Sequence, residues 1–137
     1  MKYYEILDHT ADLRILVRAK DLKGLFINAA RAMFEIMATR AKDVADKKKV
    51  TVTVTAANVE ELFVAWLNEL LYLSATSNVV FTDFTVEALG ETSLRAVAAA
   101  GPSKNFTLLK DIKAATYHAL SITQAAGEWQ AQVIFDV

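Results

Sequence analysis

The chain has 137 residues, 54% of them hydrophobic, with 15 basic and 16 acidic residues for a formal net charge of −1. That length suits one compact domain over residues 1–137, of a size that buries roughly 65–70% of its unfolded surface. The balanced charge supplies no positive field to draw nucleic acid by counterion release, so strong direct RNA binding is not expected. Cysteine is absent, which excludes a disulfide framework, a thiolate metal site and a thiol nucleophile. The opening Met1-Lys2-Tyr3-Tyr4-Glu5 carries no apolar signal region, and no run reaches the ~20 apolar residues of a membrane span. The expectation is a cytoplasmic protein with no membrane partner.

In chain order, the first feature is Asp8-His9-Thr10-Ala11-Asp12, a non-periodic segment between two apolar runs that reads as a turn. Residues 16–19 then lead to Asp21, a candidate N-cap, followed by apolar residues from Leu22 through Leu25, Phe26, Ala29, Met33 and Met37 at helical spacing. Residues 41–49 form a charged connector expected to be solvated. The alternation Val50-Thr51-Val52-Thr53-Val54-Thr55 predicts a half-buried strand. It runs into Asn58 and Glu61, which resemble a capping box, and then a second helix carrying Leu62, Phe63, Trp66, Leu67 and Leu70. Aligning Ala19 with Ala56, Asp21 with Asn58 and Leu25-Phe26 with Leu62-Phe63 gives a weak internal strand–helix duplication. Beyond it, residues 79–89, 93–100, 112–123 and 129–137 each read as strands separated by turn residues. These elements predict an α+β domain with two main helices packed on one face of a mainly antiparallel or mixed sheet.

The chemistry gathers in three segments. Asp136 sits beside the terminal carboxylate of Val137 at the end of an apolar strand. If Asp12 lies near them, like charges ~4 Å apart repel by about 4 kcal/mol at an effective dielectric of 20. A bound cation would relieve that. Oxygen-only ligands favour calcium or magnesium, while His9 leaves manganese or zinc open. The plainer alternative is that Asp8 and Thr10 cap a turn, His9 satisfies a polar neighbour and Asp136 is solvated. In the third segment, strand alternation places Lys113, Ala115 and Tyr117 on one face and Thr116, His118 and Leu120 on the other. Lys113 can reach a partner or phosphate, or simply discourage edge pairing. His118, on the more apolar face, reads as a hydrogen-bonded, semi-buried residue rather than a catalyst. No phosphate-cradling glycine pattern, Gly-x-Ser-x-Gly or His-Glu-x-x-His is present.

Residues Tyr4-Glu5-Ile6-Leu7-Asp8-His9-Thr10-Ala11-Asp12, with Leu25-Phe26 and Ala32-Met33-Phe34-Glu35-Ile36-Met37, resemble the opening of the archease family. Trp66-Leu67-Asn68-Glu69-Leu70-Leu71-Tyr72 resembles its second helix, Asp111-Ile112-Lys113-Ala114 with Tyr117-His118 its lysine strand, and Ile134-Phe135-Asp136-Val137 its ending. The resemblance implies an accessory protein, not itself an enzyme, that activates an RtcB-type RNA ligase in transfer-RNA splicing or RNA repair. It would promote guanylylation and repeated turnover of the ligase, with GTP used by that partner. It also implies a divalent metal, calcium first, held by Asp12, Asp136 and Val137, and a partner-activating role for Lys113. Asp8, His9 and His118 are secondary candidates. One departure stands out: where the family pattern has Gly-Glu, this chain has Gly101-Pro102, which implies a weakened or retuned ligase contact if that acidic residue takes part in it. Two alternatives from other classes are a metal-dependent phosphoester hydrolase built on Asp8, His9, Asp12 and Asp136, and a chaperone-like interaction module using exposed apolar surface.

Overall fold

The computed structural model describes residues 2–7, 12–40 and 47–137. In chain order these form β1 (Tyr4–Ile6), β2 (Leu13–Ala19), α1 (Leu22–Met37), β3 (Ala38–Arg40), β4 (Lys48–Thr55), α2 (Val59–Ser77), β5 (Val79–Leu89), β6 (Ser93–Pro102), β7 (Phe106–Leu108), β8 (Ala114–Ala125) and β9 (Glu128–Asp136). A four-stranded sheet runs β1-β2-β9-β8, a three-stranded sheet runs β4-β6-β5, and β3 pairs with β7. Every recorded pairing is antiparallel. The architecture is α+β, and of the two sheet types expected, the antiparallel one is realised.

The duplication is real in three dimensions. Asp21 caps α1 by accepting from the Gly24 N–H at 2.6 Å, and Asn58 caps α2 by accepting from the Glu61 N–H at 2.9 Å. The Asn58 amide also donates to the Glu61 carboxylate at 2.9 Å, closing the box. The two units differ at the third helical position for a steric reason: a Cβ on Gly24 would stand 2.9 Å from Asp21 Oδ1 and 3.2 Å from the Ala19 Cβ. The equivalent aromatics Phe26 and Phe63 meet edge to face, 5.1 Å between centroids. Trp66 locks the pair by donating its indole N–H to the Phe26 carbonyl at 2.9 Å.

Packing on one sheet face is where the expectation needs correcting. Each helix packs against strands of both larger sheets, α1 on β2 and β5, α2 on β8 and β4. The two strand–helix units therefore place their strands in different sheets, and the helix pair lies between them. Burial follows suit: α1 buries Leu25, Phe26, Ala32 and Phe34, and α2 buries Leu62, Phe63, Val64 and Leu71. At 3.6 residues per turn these positions cover about 200° of each helix, twice the stripe that one sheet would require. No helix among the described residues is long and apolar enough to cross a membrane.

Candidate functional site

The strand register decides which polar residues meet. β2 and β9 pair with Leu13 opposite Phe135, both buried against the helices. Asp12 immediately precedes β2 and Asp136 is the last residue of β9, so both stand at the same end of the four-stranded sheet, one step beyond that buried pair. On the other side of β9, Ala114 pairs with Asp136, and the Lys113 N–H donates to the Asp136 carbonyl at 2.8 Å. Asp12, Lys113, Asp136 and Val137 are all exposed. Among the described residues, none of Asp12, Lys113 or Asp136 joins an ion pair. The structure thus brings these residues, remote in sequence, to one sheet end and leaves their charges facing solvent.

Two residues after Lys113, the start of β8 is held by a residue that motif reading passed over. Asn68, on α2, reaches the outer edge of β8 and treats Ala115 as a strand neighbour would. Its amide donates to the Ala115 carbonyl at 3.1 Å and its oxygen accepts the Ala115 N–H at 2.8 Å. On the inner edge, Thr116 Oγ1 donates to the Ile134 carbonyl at 3.0 Å. The first residues of β8 are therefore clamped from both sides, and the open edge is satisfied by a side chain instead of another strand. The available signal was a single amide set inside the apolar run Trp66-Leu67-Asn68-Glu69-Leu70-Leu71.

Beyond that clamp the alternation fails. β8 pairs with β9 through Thr116 opposite Ile134 and resumes at Ser121 opposite Gln132, so residues 117–120 bulge out against a single partner residue. Ala119 takes a left-handed φ of 53° within the bulge. Tyr117 and His118 are exposed. The semi-buried, hydrogen-bonded reading of His118 is corrected by this register shift, because period-two facing holds only while pairing continues. The shared face assigned to Lys113, Ala115 and Tyr117 also breaks: Ala115 is buried, whereas Lys113 precedes β8 and Tyr117 lies in the bulge, and both are exposed. Asp8 and His9 lie outside the described residues. At the Gly101-Pro102 departure, Pro102 ends the central strand β6 opposite Val79, two residues past Ala100, the last residue of β6 that pairs with β4, so no ladder donor is needed on that side.

Among the described residues no group of three or more His, Cys, Asp or Glu side chains is arranged to hold a metal ion. Asp12, Asp136 and the carboxylate of Val137 stand exposed at this end of the sheet.

Comparison with known proteins agrees with this architecture. The archease protein family matches residues 4–137. Proteins named archease from Methanosarcina acetivorans and Methanosarcina mazei are 39% and 38% identical to this chain, covering 99% of it and 97% of each relative. The solution structure of a Methanobacterium thermoautotrophicum protein superposes with a TM-score of 0.76 at 30% identity, covering both chains completely. A crystal structure from Thermotoga maritima, described as an archease and possible chaperone, shares the fold with a TM-score of 0.69 at 18% identity, covering 97% of this chain and 96% of that one. The chain belongs to the archease family.

Proposed function

We propose that this protein activates an RtcB-type RNA ligase, promoting guanylylation of the ligase and its repeated turnover in transfer-RNA splicing or RNA repair. The observation that carries this reading is the junction of Asp12, Asp136, Val137 and Lys113 at one exposed sheet end. Charges built onto a rigid edge and left without internal ion pairs are suited to act on something outside the chain. Family membership supports the same role.

The donor set suits a hard divalent cation, calcium first, because carboxylate oxygens are the ligands that such ions prefer. Asp12, Asp136 and the terminal carboxylate of Val137 would hold it, the last taking the place of a third acidic side chain. The bound ion would supply the positive charge that lets these carboxylates share one corner. Asp12 and Asp136 position negative charge toward the ligase. Lys113, fixed through its backbone to Asp136, offers an ammonium to a phosphate or to a ligase carboxylate. GTP belongs to the partner, and so does catalysis.

The test is to add sub-stoichiometric amounts of the chain to an RtcB-type ligase with GTP and metal, and to follow covalent GMP on the ligase. Acceleration with multiple turnovers is the expected result; an unchanged rate at every ratio refutes the reading.

A second reading, general chaperone action, draws on the description of the Thermotoga maritima protein and on the exposed apolar side chains of Tyr72, Leu108, Leu109 and Tyr117, between 55% and 66% accessible. It requires suppression of aggregation of unrelated proteins, independent of Asp12 and Asp136.

A further inference from the structure

The internal duplication extends past the helices into the sheets, and it leaves one position unfilled. β2 pairs along β9, the second strand of the β8–β9 hairpin, and β4 pairs along β6, the second strand of the β5–β6 hairpin. On its other side β2 is covered by β1, with Tyr4 opposite Val17 and Ile6 opposite Ile15. β4 has no such cover: among the described residues it pairs with β6 alone. The difference shows in burial. Aligning Ala19 with Ala56 sets Val50, Val52 and Val54 on Leu13, Ile15 and Val17. All three β2 residues are buried, whereas on β4 only Val52 is, and Val50 and Val54 are half-buried.

An open edge is a template for another strand, and proteins blunt the edges that they do not use. Among the described residues the other sheet edges of this molecule are blunted. β1, β3 and β7 have three residues each, β5 breaks register twice against β6, and β8 is clasped by Asn68. β4 keeps eight residues in unbroken register with β6. Its run Val50-Thr51-Val52-Thr53-Val54-Thr55 carries neither charge nor proline, and its β-branched side chains favour a strand. The missing cover is an uncharged antiparallel strand with valine on the helix side and a small polar side chain on the other. β4 is itself such a strand.

We infer that two copies of the chain pair antiparallel along β4, joining their three-stranded sheets into one continuous six-stranded sheet. A two-fold axis through Val52 sets that residue opposite its mate, Val50 opposite Val54 and Thr51 opposite Thr53. Valines then meet on the face that packs against the core, and threonines meet on the exposed face. Lys49 comes opposite Thr55 and Lys48 opposite Ala56, so no like charges oppose each other. Both lysines reach the end of β4 that leads into the acidic first turn of α2, Glu60 and Glu61. The pairing uses none of Asp12, Lys113, Asp136 or Val137, and it is independent of the ligase reading.

The experiment follows the oligomeric state of the full chain by sedimentation velocity from micromolar to millimolar concentration. The expected result is a reversible dimer. Two variants probe the exposed threonines: Thr51→Lys with Thr53→Lys, and Thr51→Glu with Thr53→Glu, each checked for a native thermal transition. Each alone sets like charges opposite one another, which should raise the dimer dissociation constant at least about tenfold. An equimolar mixture of the two sets lysine opposite glutamate and should restore the dimer. A wild-type chain that stays monomeric at millimolar concentration overturns the inference. So does a dimer whose affinity both folded variants leave unchanged, since another surface then holds it. Variants that each weaken the dimer and fail to recover it when mixed overturn the pairing of β4 with β4.

Discussion

The helix layer and the end of the four-stranded sheet answer to different demands. Trp66, Phe26, Phe63, Leu62, Leu67 and Leu70 are fully buried, and the indole N–H finds the Phe26 carbonyl. At the sheet end, Asp12, Lys113 and Asp136 stand exposed, with no ion pair among the described residues. The first arrangement is what holds a fold together. The second contributes almost nothing to stability, since exposed charges in water are worth at most a fraction of a kcal/mol. The contrast separates residues that the fold depends on from residues that it does not.

The sharpest way to break this division is at Trp66. Trp66→Ala should cost about 3–5 kcal/mol, from the cavity and the orphaned carbonyl together, read as a lower urea midpoint. A cost below ~1 kcal/mol would show that the helix layer is not the keystone. Next comes Asn68, which links the two regions. Asn68→Ala should lose about 1–3 kcal/mol by leaving the Ala115 N–H and carbonyl unpaired, with faster amide exchange at Ala115 and weaker ligase stimulation. Unchanged exchange there would mean that the clamp is not what fixes the start of β8. Smaller again is the β8–β9 turn, where Ala126 and Gly127 have φ of 52° and 73°. Ala126→Asn should raise stability by about 0.5–1 kcal/mol, because asparagine tolerates the left-handed region that a tight two-residue hairpin demands. A lowered melting temperature would contradict that. The smallest effect is Asp83, whose carboxyl is held below the ordinary carboxylate range, first by the Lys47 ammonium and then by the Thr82 hydroxyl. A depressed folded-state value means that the contribution is present above about pH 4, the unfolded-state range, and is lost as pH falls through the folded value. With the Asp83 side chain 62% exposed, Asp83→Asn should remove under ~0.5 kcal/mol of acid-dependent stability; a larger change in melts from pH 6 to 3 would assign this pair to the core.

Much of the fold could be read in the residues, for reasons that the coordinates make specific. Asp21 and Asn58 cap as their side chains dictate, and the alternation after Asn78 produces β5 with the predicted bounds, Val79–Leu89. The strands β1, β3 and β7 have three residues each, too short for any period to register. The two-sided packing of the helices stayed hidden because a broad apolar face reads as simply hydrophobic until a second sheet is present to cover it. The bulge in β8 escaped for a local reason: its left-handed residue is Ala119, where glycine would have signalled the break. At the site, spacing alone could flag Asp12 and Asp136 as candidates but could not bring them together. That depends on the β2–β9 register, a contact between the two ends of the chain. Lys113 was visible as a lone cation on a strand; the Asn68 clamp was not, since it joins elements 47 residues apart.

The proposed division is that the sheet end acts on a ligase and does no work for the fold. It is tested most directly by the double variant Asp12→Asn with Asp136→Asn, assayed for guanylylation of an RtcB-type ligase and for stability in one preparation. The expected result is stability within ~0.5 kcal/mol of wild type with stimulation lost. Full stimulation by the folded double variant would contradict it.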